Sequence, residues 1–175
     1  MTETIRDLLV EEMQDLYDAE KQLVKALPKM VKAATSEDLS EAFENHLQQT
    51  RGHVERLERA FQMLDQKPKG KTCAAMKGLI GEAQERIEAT DEGSLGDSAM
   101  ICAAQKVEHY EIAGYGTLKA WAEELGLDDV AALLQETLDE EKDADQKLSE
   151  IAGKVMAEAE IARAEKTAHA TRSSR

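Results

Sequence analysis

The sequence predicts an all-α protein built from four long amphipathic helices. Two observations carry that reading. Hydrophobic residues make up 42% of the chain but aromatic residues only 3%, with two prolines, so good helix formers dominate. The large apolar residues then recur at alternating steps of three and four, the spacing of one helix face. At 175 residues the chain is long enough for one domain with a real core.

In the first helix, Leu9, Met13, Leu16, Leu23, Leu27 and Met30 follow this alternation, and Glu20 fills the gap. The helix is expected to end near Ala34, where TSED supplies polar breakers and a cap for the next. Pro28 predicts a kink, because it removes the bond to the carbonyl of Val24. The second helix runs from about Leu39 to Leu64, with Phe43, Leu57 and Phe61 inward, and DQKPKGK breaks it. The third is expected from near Ala99 to Leu125, with Met100 and Cys102 packing its end. Gly126 suits a left-handed position, with Leu127 supplying the accompanying hydrophobic contact. Asp128 is expected to cap the fourth helix, which carries Val130, Leu134, Leu138, Leu148 and Val155.

The connection from Leu64 to Ala99 is too long for a bare loop, and CAAMKGLIGEAQERIEA within it reads as a shorter helix. Two antiparallel helical hairpins joined by a long crossover match the ferritin-like form of the four-helix bundle. The bundle is expected to span residues 1–156. Residues 157–175 lose their large apolar side chains, turn basic and are expected to fray or be disordered.

Several function classes fall away on composition. A net charge of −14 repels phosphate backbones, so no nucleic-acid partner is expected. Such a charge serves solubility and also attracts cations. Cys73 and Cys102 form no CxxC pair, which excludes a rubredoxin-type or zinc-ribbon site and a disulfide framework. The segment MTETIRDLLVEEMQ is acidic and amphipathic, and no membrane span follows. A reducing cytoplasm is the expected setting. No glycine-rich phosphate loop argues for a nucleotide.

The helices carry charge where apolar residues belong. In VEHYEIAGY, Glu111 lies in the seam with Val107 and Leu118, and Glu108 sits beside it. Glu20 occupies the seam of the first helix. His46, Thr50 and His53 continue the inward line of the second, and Glu141 that of the fourth, with Asp145 one turn on. In an antiparallel hairpin, residues equally far from the turn share a level. Glu20 then faces the stretch from Gln48 to Thr50, and Glu111 faces Asp143, between Glu141 and Asp145. A shift of 91 positions maps Glu20 onto Glu111 and Thr50 onto Glu141, an internal echo. Buried carboxylates cost several kcal/mol each when unpaired and repel one another. Cations at the centre of the layer would relieve both costs. Oxygen-rich sites with one or two imidazoles suit iron or manganese, and two such ions can share bridging carboxylates. Taken singly, each residue has a plainer reading: a snorkelling glutamate, a hydrogen-bonded core histidine, a solvated acidic face, a tyrosine (Tyr17, Tyr110, Tyr115) with its hydroxyl at the rim.

The blocks DLYDAEKQLVKALPKM, HLQQTRGHVERLERAF, KPKGKTCAAMKGL, AAQKVEHYEIAGYGTLKAWAEELG and EEKDADQKL resemble the YciE/YciF family of bacterial stress-associated, ferritin-like proteins. The resemblance covers about Ile5 to Ile151. It implies a four-helix bundle, a homodimer and metal binding. Against the wider di-iron pattern, one Glu from each of two helices and a Glu-x-x-His from each of the others, the chain departs twice. The second helix has Thr50-Arg51-Gly52-His53, a histidine without its glutamate. The fourth has Glu141-Lys142-Asp143-Ala144, a glutamate without its histidine.

The expected function is a stress-associated metal protein whose site oxidises Fe(II) or consumes peroxide. Glu20, Glu111 and Glu141 are its central ligands, Glu108 and Asp145 its supplementary oxygens, His53 its nitrogen donor and His46 a lesser candidate. A metal-free bundle serving as a binding or scaffold module is the competing reading, favoured by the two incomplete motifs. Cage-forming iron storage finds no support in the sequence.

Overall fold

The structure, a computed structural model, describes residues 3–173, with the side chains of residues 162 and 165–173 outside the description. Thr4 and Asp7 form a reciprocal capping box at the start of α1 (Ile5–Ala33). Ser36 caps α2 (Glu37–Met63). The crossover contains α3 (Ala74–Glu88), capped by the Cys73 thiol, which accepts from Met76 N–H at 3.3 Å. Then come α4 (Ser94–Glu124) and α5 (Asp128–Ser173). All the regular elements among the described residues are helices. None is long and apolar enough to cross a membrane.

Helix α1 packs on α2 and α4 on α5, α2 and α4 close the bundle against α5 and α1, and α3 lies across α4 and α1. At Gly114 a Cβ would stand 3.0 Å from Leu16 Cδ2, so the glycine lets α4 approach α1 closely. The α4–α5 turn is the one expected. Gly126 has φ +65°, and Leu127 N–H bonds Ala122 O at 2.8 Å while Gly126 N–H bonds Glu123 O at 3.0 Å. Those two bonds define a Schellman motif.

Three details depart from the sequence expectation. Helix α4 begins at Ser94 rather than near Ala99. Its first turn holds buried Asp97, whose carboxylate accepts from Thr35 N–H at 2.9 Å, Thr35 O–H at 2.6 Å and Ser36 N–H at 2.8 Å. A tertiary clamp on the α1–α2 turn thus orders a stretch that reads locally as loop. Asp128 is the first residue of α5 rather than its cap. Met100 is buried, but Cys102 is exposed. Apart from these, the described backbone of α5 runs to Ser173, through most of the stretch expected to fray, and residues 174 and 175 lie outside the described residues. Pro28 sits within α1, which remains one helix to Ala33.

The core is in two parts. One gathers Leu9, Met13, Leu16, Leu57, Phe61, Leu118 and Leu134 toward the α4–α5 turn. The other gathers Leu23, Leu27, Leu39, Phe43, Met76, Met100, Leu148 and Ile151 toward the α1–α2 turn. Each fully buried large side chain contributes about 1.5–3 kcal/mol. Between these two apolar halves lies a band of buried polar residues.

Candidate metal centre

The band contains Glu20 from α1, His46, Thr50 and His53 from α2, Glu108 and Glu111 from α4, and Thr137 and Glu141 from α5, all buried. Their helical phase places them in the interior, because each continues the apolar seam of its own helix. Glu20, His53, Glu111 and Glu141 are 0% exposed. Hairpin counting put Glu20 opposite residues 48–50 and Glu111 opposite Asp143; in the structure Glu20 groups with His53, and Glu111 with Glu141, while Asp143 is exposed.

Donor atoms converge in two groups, each with its atoms within 4.8 Å of one another. One consists of Glu20, His53 and Glu141. The other consists of His46, Glu108, Glu111 and Glu141. Glu141 belongs to both. His46, the lesser candidate by sequence, is therefore a full member of a group. Although seven positions separate it from His53, about 10.5 Å of helical rise, the two ring centroids are 6.2 Å apart. Asp145 is placed outside both groups, half-buried, accepting from Gln105 at 3.1 Å and lying 3.4 Å from the exposed His109 ring.

The two imidazoles are presented differently. His53 Nε2 lies 2.8 Å from Glu140 Oε2, and Arg56 binds both oxygens of Glu140 at 2.7 and 2.8 Å. With Nε2–H donating outward to Glu140, Nδ1 faces inward, 3.4 Å from Glu20 and 3.0 Å from Glu141. An outer carboxylate that fixes the ring while the other nitrogen faces the centre is the arrangement of a metal-binding histidine. His46 turns Nε2 toward Glu108 at 3.5 Å and Glu141 at 3.8 Å. Tyr115, expected at the rim, is instead fully buried and donates to Glu20 at 2.5 Å. Tyr17 and Tyr110 do reach outer carboxylates, Glu58 at 2.7 Å and Asp15 at 2.6 Å.

Most of this donor set makes ion-pair approaches but lacks a full set of hydrogen bonds. One oxygen of Glu20, one of Glu108, both of Glu111, both of Glu141 and Nδ1 of each histidine are buried without a hydrogen bond. Burial raises the pKa of Glu108 and Glu111 well above the usual carboxyl range, and the neighbouring carboxylates add to the effect. Burial also raises Glu20, partly opposed by His53. For His53, burial works downward, but Glu20 and Glu141 lift its pKa to about 10. Glu141 is the exception: burial is outweighed by His53 and His46, which lower it to about 2.

Reading the sequence alone missed Glu140 and Arg56. Glu140 lies in the acidic run DEEKDAD, which reads as a solvated face. The available signal was Arg56, one turn after His53, opposite acids at 136 and 140.

A family model described as a domain of unknown function, DUF892, matches residues 4–161. Protein YciF of Escherichia coli strain K12 is 49% identical over 150 residues, spanning 85% of this chain and 90% of that protein. The crystal structure of the E. coli stress protein YciF superposes with a TM-score of 0.85 at 47% identity, over 89% of this chain and 98% of that one. A ferritin-like, diiron-carboxylate protein from Bacillus anthracis shares the fold at 16% identity, with a TM-score of 0.64 over 87% of this chain and 99% of that one.

Proposed function

The chain belongs to the DUF892 family, together with the E. coli protein YciF, and on that premise we propose that it is a stress-associated metalloprotein holding two iron or manganese ions. Charge balance is the observation that carries the reading. Four buried carboxylates, Glu20, Glu108, Glu111 and Glu141, face one another with two neutral-capable imidazoles and no lysine or arginine among them. Two divalent cations neutralise four carboxylates, whereas the unmetallated layer must hold protons to lower its charge.

The residues present fit such a pair. His53, Glu20 and Glu141 would hold one ion, and His46, Glu108 and Glu111 the other, with Glu141 shared. The two departures from the Glu-x-x-His pattern are thereby compensated within the chain. His46 supplies the nitrogen that position 144 lacks, and Glu108 the oxygen that position 50 lacks. When bound, iron or manganese supplies one-electron redox chemistry toward dioxygen or peroxide, and a carboxylate-rich shell favours the higher oxidation state. The chain's own groups do the positioning. Arg56 and Glu140 fix the His53 ring, and Tyr115 orients Glu20 while remaining a proton donor to it. The two apolar halves of the core exclude bulk water from either end.

Homodimerisation and a cytoplasmic setting belong to the same proposal, and sedimentation of the purified protein checks the first. The direct test is anaerobic titration with Fe(II) or Mn(II), followed by metal analysis after gel filtration. Two ions per chain are expected in the native protein and none in a Glu20→Ala, Glu111→Ala double variant. A native chain that retains no metal would favour the scaffold reading, in which the polar band fixes helix register.

A further inference from the structure

The two donor groups meet solvent differently. On the His53 side, Glu20, His53 and Tyr115 are 0% exposed, and the Arg56–Glu140 pair caps the Nε2 edge of the ring. On the His46 side, a cavity of about 390 Å³ lies between α2 and α5, with His46 and Glu108 in its wall. Both are over nine-tenths buried, and each keeps a polar atom, His46 Nδ1 and Glu108 Oε2, with no hydrogen-bond partner. Ala144 lines the same wall. A Glu-x-x-His motif starting at Glu141 would put an imidazole there, and the methyl group leaves that volume open. At about 30 Å³ per water, the cavity admits a cation that still carries much of its hydration shell.

Its mouth is predominantly acidic. Asp38, Glu41 and Asp143 are exposed there. Lys154 pairs with Asp38 at 2.5 Å and Lys147 shares the rim, so the three acids leave a small net negative charge there to draw cations in.

Resting on the metal reading above, we propose that this cavity is the entry port for divalent cations and that the alanine at 144 keeps it open. The His46–Glu108–Glu111 position is then the exchangeable one, and the His53–Glu20 position is closed. The departure that looks like a damaged motif acts as a door.

The test uses the full chain loaded with two equivalents of Co(II), whose visible absorption reports its ligands. Release to excess chelator is followed by stopped flow. Two phases are expected. Ala144→Phe should slow the fast phase at least tenfold while leaving the stoichiometry at two. Asp143→Lys, which alters an exposed side chain and no packing, should slow Co(II) uptake several-fold at low salt, with the difference gone at about 0.5 M salt. A single release phase in the native chain overturns the port, as does native-rate release from folded Ala144→Phe. If Ala144→Phe does not fold, an unchanged uptake rate in Asp143→Lys overturns it. Absence of Co(II) binding in the native chain is a different failure: it removes the metal reading and the port with it.

Discussion

Glu111 has both carboxylate oxygens buried without a hydrogen-bond partner, so the metal-free fold must either bury its charge or take up a proton there. At neutral pH Glu111→Gln should raise the stability of the metal-free protein by about 1–3 kcal/mol, since the amide needs neither a buried charge nor proton uptake on folding. The same change should remove at least one bound ion. Chemical denaturation in chelator, beside metal analysis, checks both halves. His46→Ala and His53→Ala should each lower stoichiometry from two ions to one. The pH dependence has a definite sign. Glu20, Glu108, Glu111 and His53 all have pKa values raised in the fold. Their contributions are complete below the unfolded values, 4.5 for the carboxyls and 6.5 for histidine, and fade as pH climbs through the folded ones, about 10 for His53. Glu141 runs the other way, its contribution present above 4.5 and lost toward about 2. Metal-free stability should therefore decline as pH rises above about 4.5, while metal binding, which displaces those protons, strengthens. The gap in melting temperature between Mn(II)-loaded and metal-free protein should widen between about pH 5.5 and pH 8. A constant or shrinking gap would count against protonated ligands in the empty site.

Helices and turns were legible to different depths. Periodicity placed every long helix, because the apolar seam and the 3.6-residue repeat are properties of a single segment. The α4–α5 turn was readable for the same reason: a Schellman motif needs only glycine at C′ and an apolar residue after it. The start of α4 was not, since the bonds that order it run from Asp97 to Thr35 and Ser36, some sixty positions away in sequence. Asp97→Ala should strand the donors of that turn and cost about 1.5–3 kcal/mol, the range for hydrogen bonds to a charged group. Gly126→Ala, by comparison, should cost about 1–2 kcal/mol for a left-handed residue with a Cβ. Thermal or denaturant unfolding of both variants measures the contrast. The ligand heights succeeded only in part. Hairpin counting fixes the level of a Cα, but His46 and His53 lean toward each other, and only side-chain packing reveals that they share one layer.

Across the whole molecule, a polar slab divides an otherwise continuous hydrophobic core, and its donors come from all four long helices. An ion bound there ties both hairpins together, so metal removal should loosen the bundle as a unit. At a free metal concentration one hundred times the dissociation constant, binding at one site adds about 2.7 kcal/mol to stability. Chelation should accordingly lower the melting temperature and speed amide exchange on all four long helices, with the α3 crossover least affected. Sequence made the ferritin-like architecture and the acidic layer visible. It could not show that Arg56 and Glu140 cap the His53 side while a cavity borders the His46 side, because that asymmetry depends on side chains from helices distant in sequence.

The most direct measurement is anomalous diffraction from crystals soaked in Mn(II), recorded at a wavelength where manganese scatters strongly. Two anomalous peaks per chain are predicted, one among Glu20, His53 and Glu141, the other among His46, Glu108, Glu111 and Glu141. An interior without anomalous density, filled only by water between these side chains, would contradict the metal centre.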